Sequence, residues 1–172
     1  MLKKGDLVVY GAEGICEVLD ISTQGFRGMS DIKTYYILEP KENKSSRLYV
    51  PVDNDILCSK IKKLLDFDSL EQLICHNTCR GEWISDNKLR NKLYKELLST
   101  YNREEIIATV KMLCEIKDGK NSNVKKLYTM DEEFLKKALQ ILFMELSHIL
   151  IITQEQLLPY LLGEIKCARK LN

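Results

Sequence analysis

The sequence lacks most of the residues and motifs that enzyme active sites use. The 172-residue chain has only two histidines, so few side chains change charge near neutral pH. It contains no glycine-rich phosphate loop, no nucleophile-elbow motif and no His-Glu-x-x-His sequence. We therefore expect a protein that is not an enzyme, with no catalytic residues and no cofactor.

The chain also lacks an excess of charge of either sign and any long apolar run. Lys and Arg total 26 against 25 Asp and Glu, which gives a formal net charge of +1. Overall charge therefore does not attract this protein to DNA, and any nucleic-acid contact must use a local patch or a partner. No apolar run approaches the roughly 20 residues of a membrane span, and residues 1–6 do not resemble a signal peptide. We expect a cytoplasmic protein without a membrane partner.

The six cysteines are too few and too scattered for a disulfide scaffold. Cys75, His76 and Cys79 form the one local cluster, and its spacing is typical of half a zinc site. Because no second Cys or His pair lies at a suitable distance, we predict reduced, mostly buried thiols and no metal site. A metal-dependent enzyme at this cluster is the alternative, which metal analysis would test.

Short strand-like segments fill residues 1–66. They cover residues 7–10, 15–21, 34–38 and 47–50, and the second alternates apolar and polar side chains with period two. Pro40 and Pro51 end the last two segments. Four or five short antiparallel strands in about 60 residues predict a small, SH3/Tudor-like β-barrel. Such barrels bind protein segments along an open edge.

Helix signals replace the strand signals from residue 67. A capping residue is followed three positions later by Glu or Gln at Asp68, Asn102, Thr129 and Thr153, and an apolar run with helical spacing follows each. A fifth helix begins after Trp83, with Ser85 or Asp86 as its cap. The predicted fold class is therefore α+β with two domains, a β-barrel at 1–66 and an all-α five-helix bundle at 67–172.

The only tryptophan, Trp83, lies two residues after Gly81 and precedes the second of these helices. Leu89, Leu93 and Leu97 give that helix one apolar face, and residues 80–95 contain five cations and two anions. An aromatic ring beside a local positive field can wedge against nucleic-acid bases while the cations hold phosphate. The alternative is that Trp83 is a packing anchor between the two halves of the protein.

Four segments in order resemble the amino-terminal module of the CarD-like bacterial transcription regulators. They are Leu-Lys-Lys-Gly-Asp-Leu-Val-Val-Tyr at 2–10, Glu-Gly-Ile-Cys-Glu-Val at 13–18, Tyr-Tyr-Ile-Leu at 35–38 and Tyr-Val-Pro-Val-Asp-Asn at 49–54. That module is similar to the RNA-polymerase-interacting module of transcription-repair coupling factors. Trp83, followed by Asn87, Lys88 and Arg90, resembles the family's tryptophan and its basic residues.

The resemblance implies that the barrel docks on the β subunit of RNA polymerase and that the helical part contacts promoter DNA. The tryptophan would wedge at the upstream fork of the melted bubble and prolong the life of the open complex. We expect a monomer that joins the nucleoid through polymerase. The residues expected to contact polymerase are Arg47, Tyr49, Arg27, Gln24 and Pro51. The residues expected to contact DNA are Trp83, Asn87, Lys88, Arg90 and Lys92.

Two further interpretations remain open. The cations after Trp83 are explained equally well as a solvated helix face, and Arg27, Arg47 and Tyr49 as the polar surface of a barrel. A protein-protein adaptor without DNA contact is the alternative function, because apolar residues at 141–144 and 149–152 leave room for an interface. A basic patch around an exposed Trp83 favours DNA, whereas a buried Trp83 and an exposed apolar face favour the adaptor.

Overall fold

The computed structural model describes residues 2–25, 32–76, 81–120, 124 and 126–170 of the chain. The chain divides into two compact units, unit 1 at residues 1–64 and unit 2 at residues 65–172. Unit 1 is built around a sheet and unit 2 around helices, so the fold class is α+β.

Unit 1 contains an antiparallel five-stranded sheet with the strand order β4-β3-β2-β1-β5. A single turn of 3-10 helix, Gly11–Glu13, joins the first two strands, and a four-residue helix, α1, Asp55–Cys58, precedes the last. The side chain of Asn54 caps α1 by accepting a hydrogen bond from the Leu57 N–H at 3.0 Å. The strands are β1 Leu7–Tyr10, β2 Ile15–Gln24, β3 Lys33–Pro40, β4 Leu48–Pro51 and β5 Ile61–Lys63.

The predicted SH3/Tudor-like barrel is not confirmed, because the sheet among the described residues is open. β4 and β5 lie at its two edges and do not pair with each other. These edge strands have four and three residues, which is short for the tilted, continuous pairing that closes a barrel. The sheet instead packs its inner face into a core formed by Val8, Cys16, Val18, Tyr36, Leu38 and Val50.

Unit 2 contains five helices among its described residues, together with a two-stranded ribbon that the sequence did not predict. The ribbon pairs β6, Leu150–Ile151, with β7, Ala168–Arg169. β6 lies within the segment Ile-Leu-Ile-Ile at 149–152, whose β-branched isoleucines favour extended backbone. The helices are α2 Phe67–His76, α3 Asn87–Thr100, α4 Arg103–Lys117, α5 Thr129–Ile149 and α6 Gln154–Leu161.

The predicted helix starts are close to the observed ones, but two of the predicted caps are wrong. α2 is capped by Asp66, whose Oδ1 accepts a hydrogen bond from the Ser69 N–H at 2.7 Å, so Asp68 lies inside the helix. Thr129 likewise lies inside α5, which has Tyr128 at its cap position. In α2 the Asp66 carboxylate caps the helix two residues before Asp68, and in α5 the Asp131 carboxylate accepts a hydrogen bond from the Tyr128 N–H, one residue before Thr129.

The face of α3 that packs in the core matches the predicted one only at Leu97, which is buried. Leu89 is 59% exposed, and Leu93 is only half-buried. The buried positions are Arg90, Tyr94 and Leu97, which share one side of the helix through their spacing of four and three. The first residue of the buried face is therefore the charged Arg90, and burial of a charge requires charged or hydrogen-bonding partners in the core.

The apolar residues on which the adaptor interpretation depended lie mostly inside unit 2. Ile141, Leu142, Leu146 and Leu150 are buried, and only Ile151 of that region is a large exposed hydrophobe. In the part of the chain that the structure describes, no helix is both long enough and apolar enough to cross a membrane.

Candidate functional site

Alternate residues of the edge strand β4 point to one face of the sheet in unit 1. Arg47, directly before β4, and Tyr49 are exposed, whereas Val50 is buried in the core. The Tyr49 ring is 40% exposed and meets the Tyr35 ring edge-on, with centroids 6.4 Å apart. Pro51 follows on the same face and has no N–H to donate. This face presents a cation and an aromatic ring beside a strand edge that no described strand covers.

Gln24 belongs to the same face. At the end of β2, Gln24 pairs with Lys33 of β3. Two residues earlier, Ser22 pairs with Tyr35 of β3, and Tyr35 pairs on its other side with Pro51 of β4. Because side chains alternate along a strand, these positions project from the same side of the sheet. The fold thus places the predicted polymerase contacts Gln24, Arg47, Tyr49 and Pro51 on one face of the sheet, with Gln24 and Arg47 at opposite ends of it, whereas Arg27 lies outside the described residues.

The segment that carries Trp83 is held between two helices of unit 2. Asp86 caps α3, since its Oδ1 accepts hydrogen bonds from the Lys88 and Leu89 N–H groups at 2.8 and 2.9 Å. A Cβ at Gly81 would lie 2.8 Å from the Ala108 carbonyl oxygen of α4, so the segment approaches α4 at a distance only glycine allows. Both ends of the short segment that carries Trp83 are therefore fixed.

Trp83 is half-buried, and one face of its ring lies against the Arg90 guanidinium. The Arg90 Cζ is 4.0 Å from the centroid of the indole and 5.4 Å from that of the Tyr128 ring. A cation at this distance from an aromatic face is attracted by the ring quadrupole. The indole is therefore fixed on one side and retains some exposure.

This placement corrects the prediction that Arg90 holds phosphate. Its side chain is only 1% exposed and forms an ion pair with the completely buried Asp131, with 2.8 Å between Nε and Oδ1. Its Nη1 donates to the Ile84 carbonyl, and its Nη2 donates to Asn87 Oδ1 at 2.9 Å. Arg90 consequently supports Trp83 from beneath and has no surface to offer to DNA.

Asp131 is the centre of this cluster, and the sequence analysis did not identify it. Besides Arg90, it accepts hydrogen bonds from the Tyr94 hydroxyl at 2.8 Å and the Tyr128 N–H at 2.9 Å. The Tyr94 ring stacks on Phe134 with centroids 4.2 Å apart. The sequence did contain a signal for Asp131, since it is an acidic residue on the apolar face of a predicted helix. A buried carboxylate needs a cationic or hydrogen-bonding partner, so a partner could have been expected.

A second buried carboxylate on α5 repeats this arrangement away from Trp83. Glu145 is completely buried and accepts two hydrogen bonds from Arg103, each of 2.7 Å, and one from the Tyr101 hydroxyl at 2.7 Å. Arg103 also lies 5.0 Å from the centroid of the Tyr101 ring. Burial lowers the pKa of Arg103, but the hydrogen bonds and charge of Glu145 outweigh it and raise the pKa overall.

The two buried tyrosines predict a loss of stability in alkali. Burial first, and then Asp131 or Glu145, raises the pKa of Tyr94 and Tyr101 above the usual 10.0. The folded state holds these two protons more tightly than the unfolded state does. Their contribution to the free energy of unfolding is therefore complete below the pKa of the unfolded state, and it is lost as the pH rises from there towards the pKa of the folded state. We expect the free energy of unfolding in urea to fall above about pH 10, and to fall less steeply in Tyr94→Phe and Tyr101→Phe. An unchanged slope in both variants would contradict this assignment.

A groove of about 590 Å³ opens beside Trp83. Its aromatic walls are Trp83 and Tyr128, the latter 54% exposed, and the exposed Lys126 lies at its rim. On α3, Lys88 and Lys92 are exposed and four residues apart, so they share one side of the helix. The groove suits stacking on a flat ring, and Lys126 can hold a phosphate beside it. Lys88 and Lys92 project from the side of α3 opposite Arg90, since positions two residues apart on a helix are about 200° apart. Lys126 and Tyr128 were not among the predicted residues.

The structure offers little for metal binding or thiol chemistry. Among the described residues, no group of three His, Cys, Asp or Glu side chains is placed to hold a metal ion. Cys79 and the side chains of Cys75 and His76 fall outside what the structure describes. Burial raises the pKa of the Cys16 thiol to about 11, so this sulfur stays protonated at neutral pH.

Comparison with known proteins identifies unit 1. The family model described as CarD-like/TRCF RID domain matches residues 2–64, and the match ends where unit 1 ends. Residues 2–64 are a CarD-like/TRCF RID domain. The resemblance of the amino-terminal module to this family is thereby confirmed. RID domains interact with RNA polymerase, so the β4 face belongs to a polymerase-interacting module. No curated protein matches the chain.

Proposed function

We propose that the protein is a non-enzymatic regulator of transcription initiation that stabilises the open promoter complex. The RID domain docks on the β subunit of RNA polymerase, and unit 2 contacts promoter DNA at the upstream edge of the bubble. Trp83 wedges at the fork, while Asn87, Lys88 and Lys92 lie near the backbone phosphates. The observation that carries the proposal is the presence, in one chain, of a RID domain and a separate unit in which a partly exposed tryptophan lines a groove together with Lys126.

The charge of the chain supports recruitment by polymerase over independent DNA binding. With a net charge of +1, the protein has little long-range attraction to DNA. Docking through the RID domain converts the DNA contact into an intramolecular event with a high effective concentration. A small aromatic and basic surface is then sufficient at the promoter.

The test is the lifetime of open complexes formed by purified polymerase with and without the protein. A competitor that traps free polymerase makes the decay irreversible, and we expect slower decay when the protein is present. Binding to polymerase is measured in parallel. An unchanged lifetime in complexes that contain the bound protein would refute the proposal.

We expect Arg47→Glu to weaken binding to the polymerase β subunit by roughly tenfold, because it reverses an exposed charge beside the open strand edge. Lys44→Glu is the matched control: it makes the same change of charge at an exposed position of the β3–β4 loop. A pull-down titration with the β subunit measures both. Equal binding of the two variants would show that the β4 face is not the docking surface.

A further inference from the structure

We propose that Asp131 is a positioning residue for Trp83, acting through the Arg90 guanidinium on which the indole rests. The inference depends on the proposed function for its consequence at the promoter, but its structural part can be tested without DNA.

The guanidinium is fixed by partners from three directions. Nε and Nη2 donate to the two oxygens of Asp131 at 2.8 and 3.4 Å, while the remaining bonds go to the Ile84 carbonyl and Asn87 Oδ1. A planar group with this many partners cannot rotate without breaking several hydrogen bonds. Because the Trp83 ring lies 4.0 Å from Cζ, a fixed guanidinium plane fixes the ring as well.

Asp131 is the only charged partner in this set and is completely buried. Ile84 is adjacent to Trp83, Asn87 begins α3, and Asp131 lies in the first turn of α5. Through Arg90, the Asp131 carboxylate therefore connects the Trp83 side chain and the adjacent Ile84 backbone to the first turns of α3 and α5. A pre-oriented ring loses less conformational entropy when it stacks on a base, which is why orientation matters for the proposed function.

A second buried carboxylate of unit 2, Glu145, provides a control for the proposed role of Asp131. Glu145 pairs with an arginine and a tyrosine as Asp131 does, and it lies fourteen residues further along α5, which is roughly 21 Å along the helix axis. No contact connects Glu145 to Trp83 among the described residues. Loss of either carboxylate should destabilise unit 2, but only loss of Asp131 should affect the indole.

The experiment compares Asp131→Asn with Glu145→Gln in the full-length protein. Trp83 is the only tryptophan, so fluorescence excited at wavelengths that tyrosine does not absorb reports on this ring alone. We expect Asp131→Asn to raise the acrylamide quenching constant and to shift the emission maximum, while Glu145→Gln leaves both at the wild-type values. With polymerase, we expect Asp131→Asn to shorten the lifetime of the open complex towards that of Trp83→Ala, and Glu145→Gln to leave it unchanged.

Circular dichroism identifies any variant that does not fold. If Asp131→Asn lacks native helical content, Arg90→Lys takes its place, since lysine keeps the charge but loses the planar fork that contacts the indole. Unchanged quenching in the folded variant, or an equal change in Glu145→Gln, would overturn the inference. A normal lifetime in Trp83→Ala would refute the proposed function and leave the fluorescence result standing.

Discussion

Trp83→Ala is expected to shorten the lifetime of the polymerase open complex by roughly 5- to 150-fold. Stacking of an aromatic side chain on a base contributes about 1–3 kcal/mol, and that range corresponds to this change in rate. The ring is half-buried, and the Arg90 beneath it keeps its bonds to Asp131, Ile84 and Asn87. We therefore expect native folding and unchanged binding to polymerase, because the RID domain is a separate unit.

Two variants make this result specific. Trp83→Phe keeps an aromatic face of smaller area and should recover part of the lifetime. Ile151→Ala removes another exposed apolar side chain of unit 2 and should have no effect. A wild-type lifetime in Trp83→Ala, with normal occupancy on polymerase, would remove the wedge from the mechanism.

Arg103→Ala is expected to lower the free energy of unfolding of unit 2 by about 3–5 kcal/mol, because it leaves a buried charge without its partner. Glu145 is completely buried and loses both hydrogen bonds from the guanidinium. Urea unfolding followed by circular dichroism measures the change. The loss is a large fraction of the roughly 5–15 kcal/mol by which native proteins are stable.

A surface ion pair and a double variant provide the controls for Arg103. Lys120 and Asp118 form an exposed pair, and Lys120→Ala should cause no measurable change. Replacing Arg103 and Glu145 together with leucine should recover part of the stability, since a well-packed apolar pair substitutes for a buried ion pair. The recovery is incomplete because the buried Tyr101 hydroxyl loses its acceptor. Equal effects of Arg103→Ala and Lys120→Ala would mean that the Glu145 pair contributes nothing.

Local sequence patterns predicted the parts of the fold that local interactions determine. Strand β1 was predicted at its observed bounds, and α3 begins after Asp86, one of the two predicted caps. The apolar run of α4 that includes Ile106, Ile107 and Val110 is buried as its spacing indicated. Such features depend on neighbours within one helical turn or along one strand, which a single sequence contains.

The support beneath Trp83 was not predictable in the same way. Arg90 and Asp131 are 41 residues apart, and the charge of Arg90 suggested an exposed position. Only the packing of α3 against α5 reveals that the cation belongs to the buried face. The open sheet likewise depends on whether its two edge strands, β4 and β5, pair with each other, which short strands with similar patterns do not specify.

An uncovered strand edge can also attract further copies of the same chain. At β4, Pro51 removes one backbone donor from that edge, and the charge of Arg47 directly before the strand repels an identical strand. Both features disfavour the pairing of this edge with a second copy of the chain.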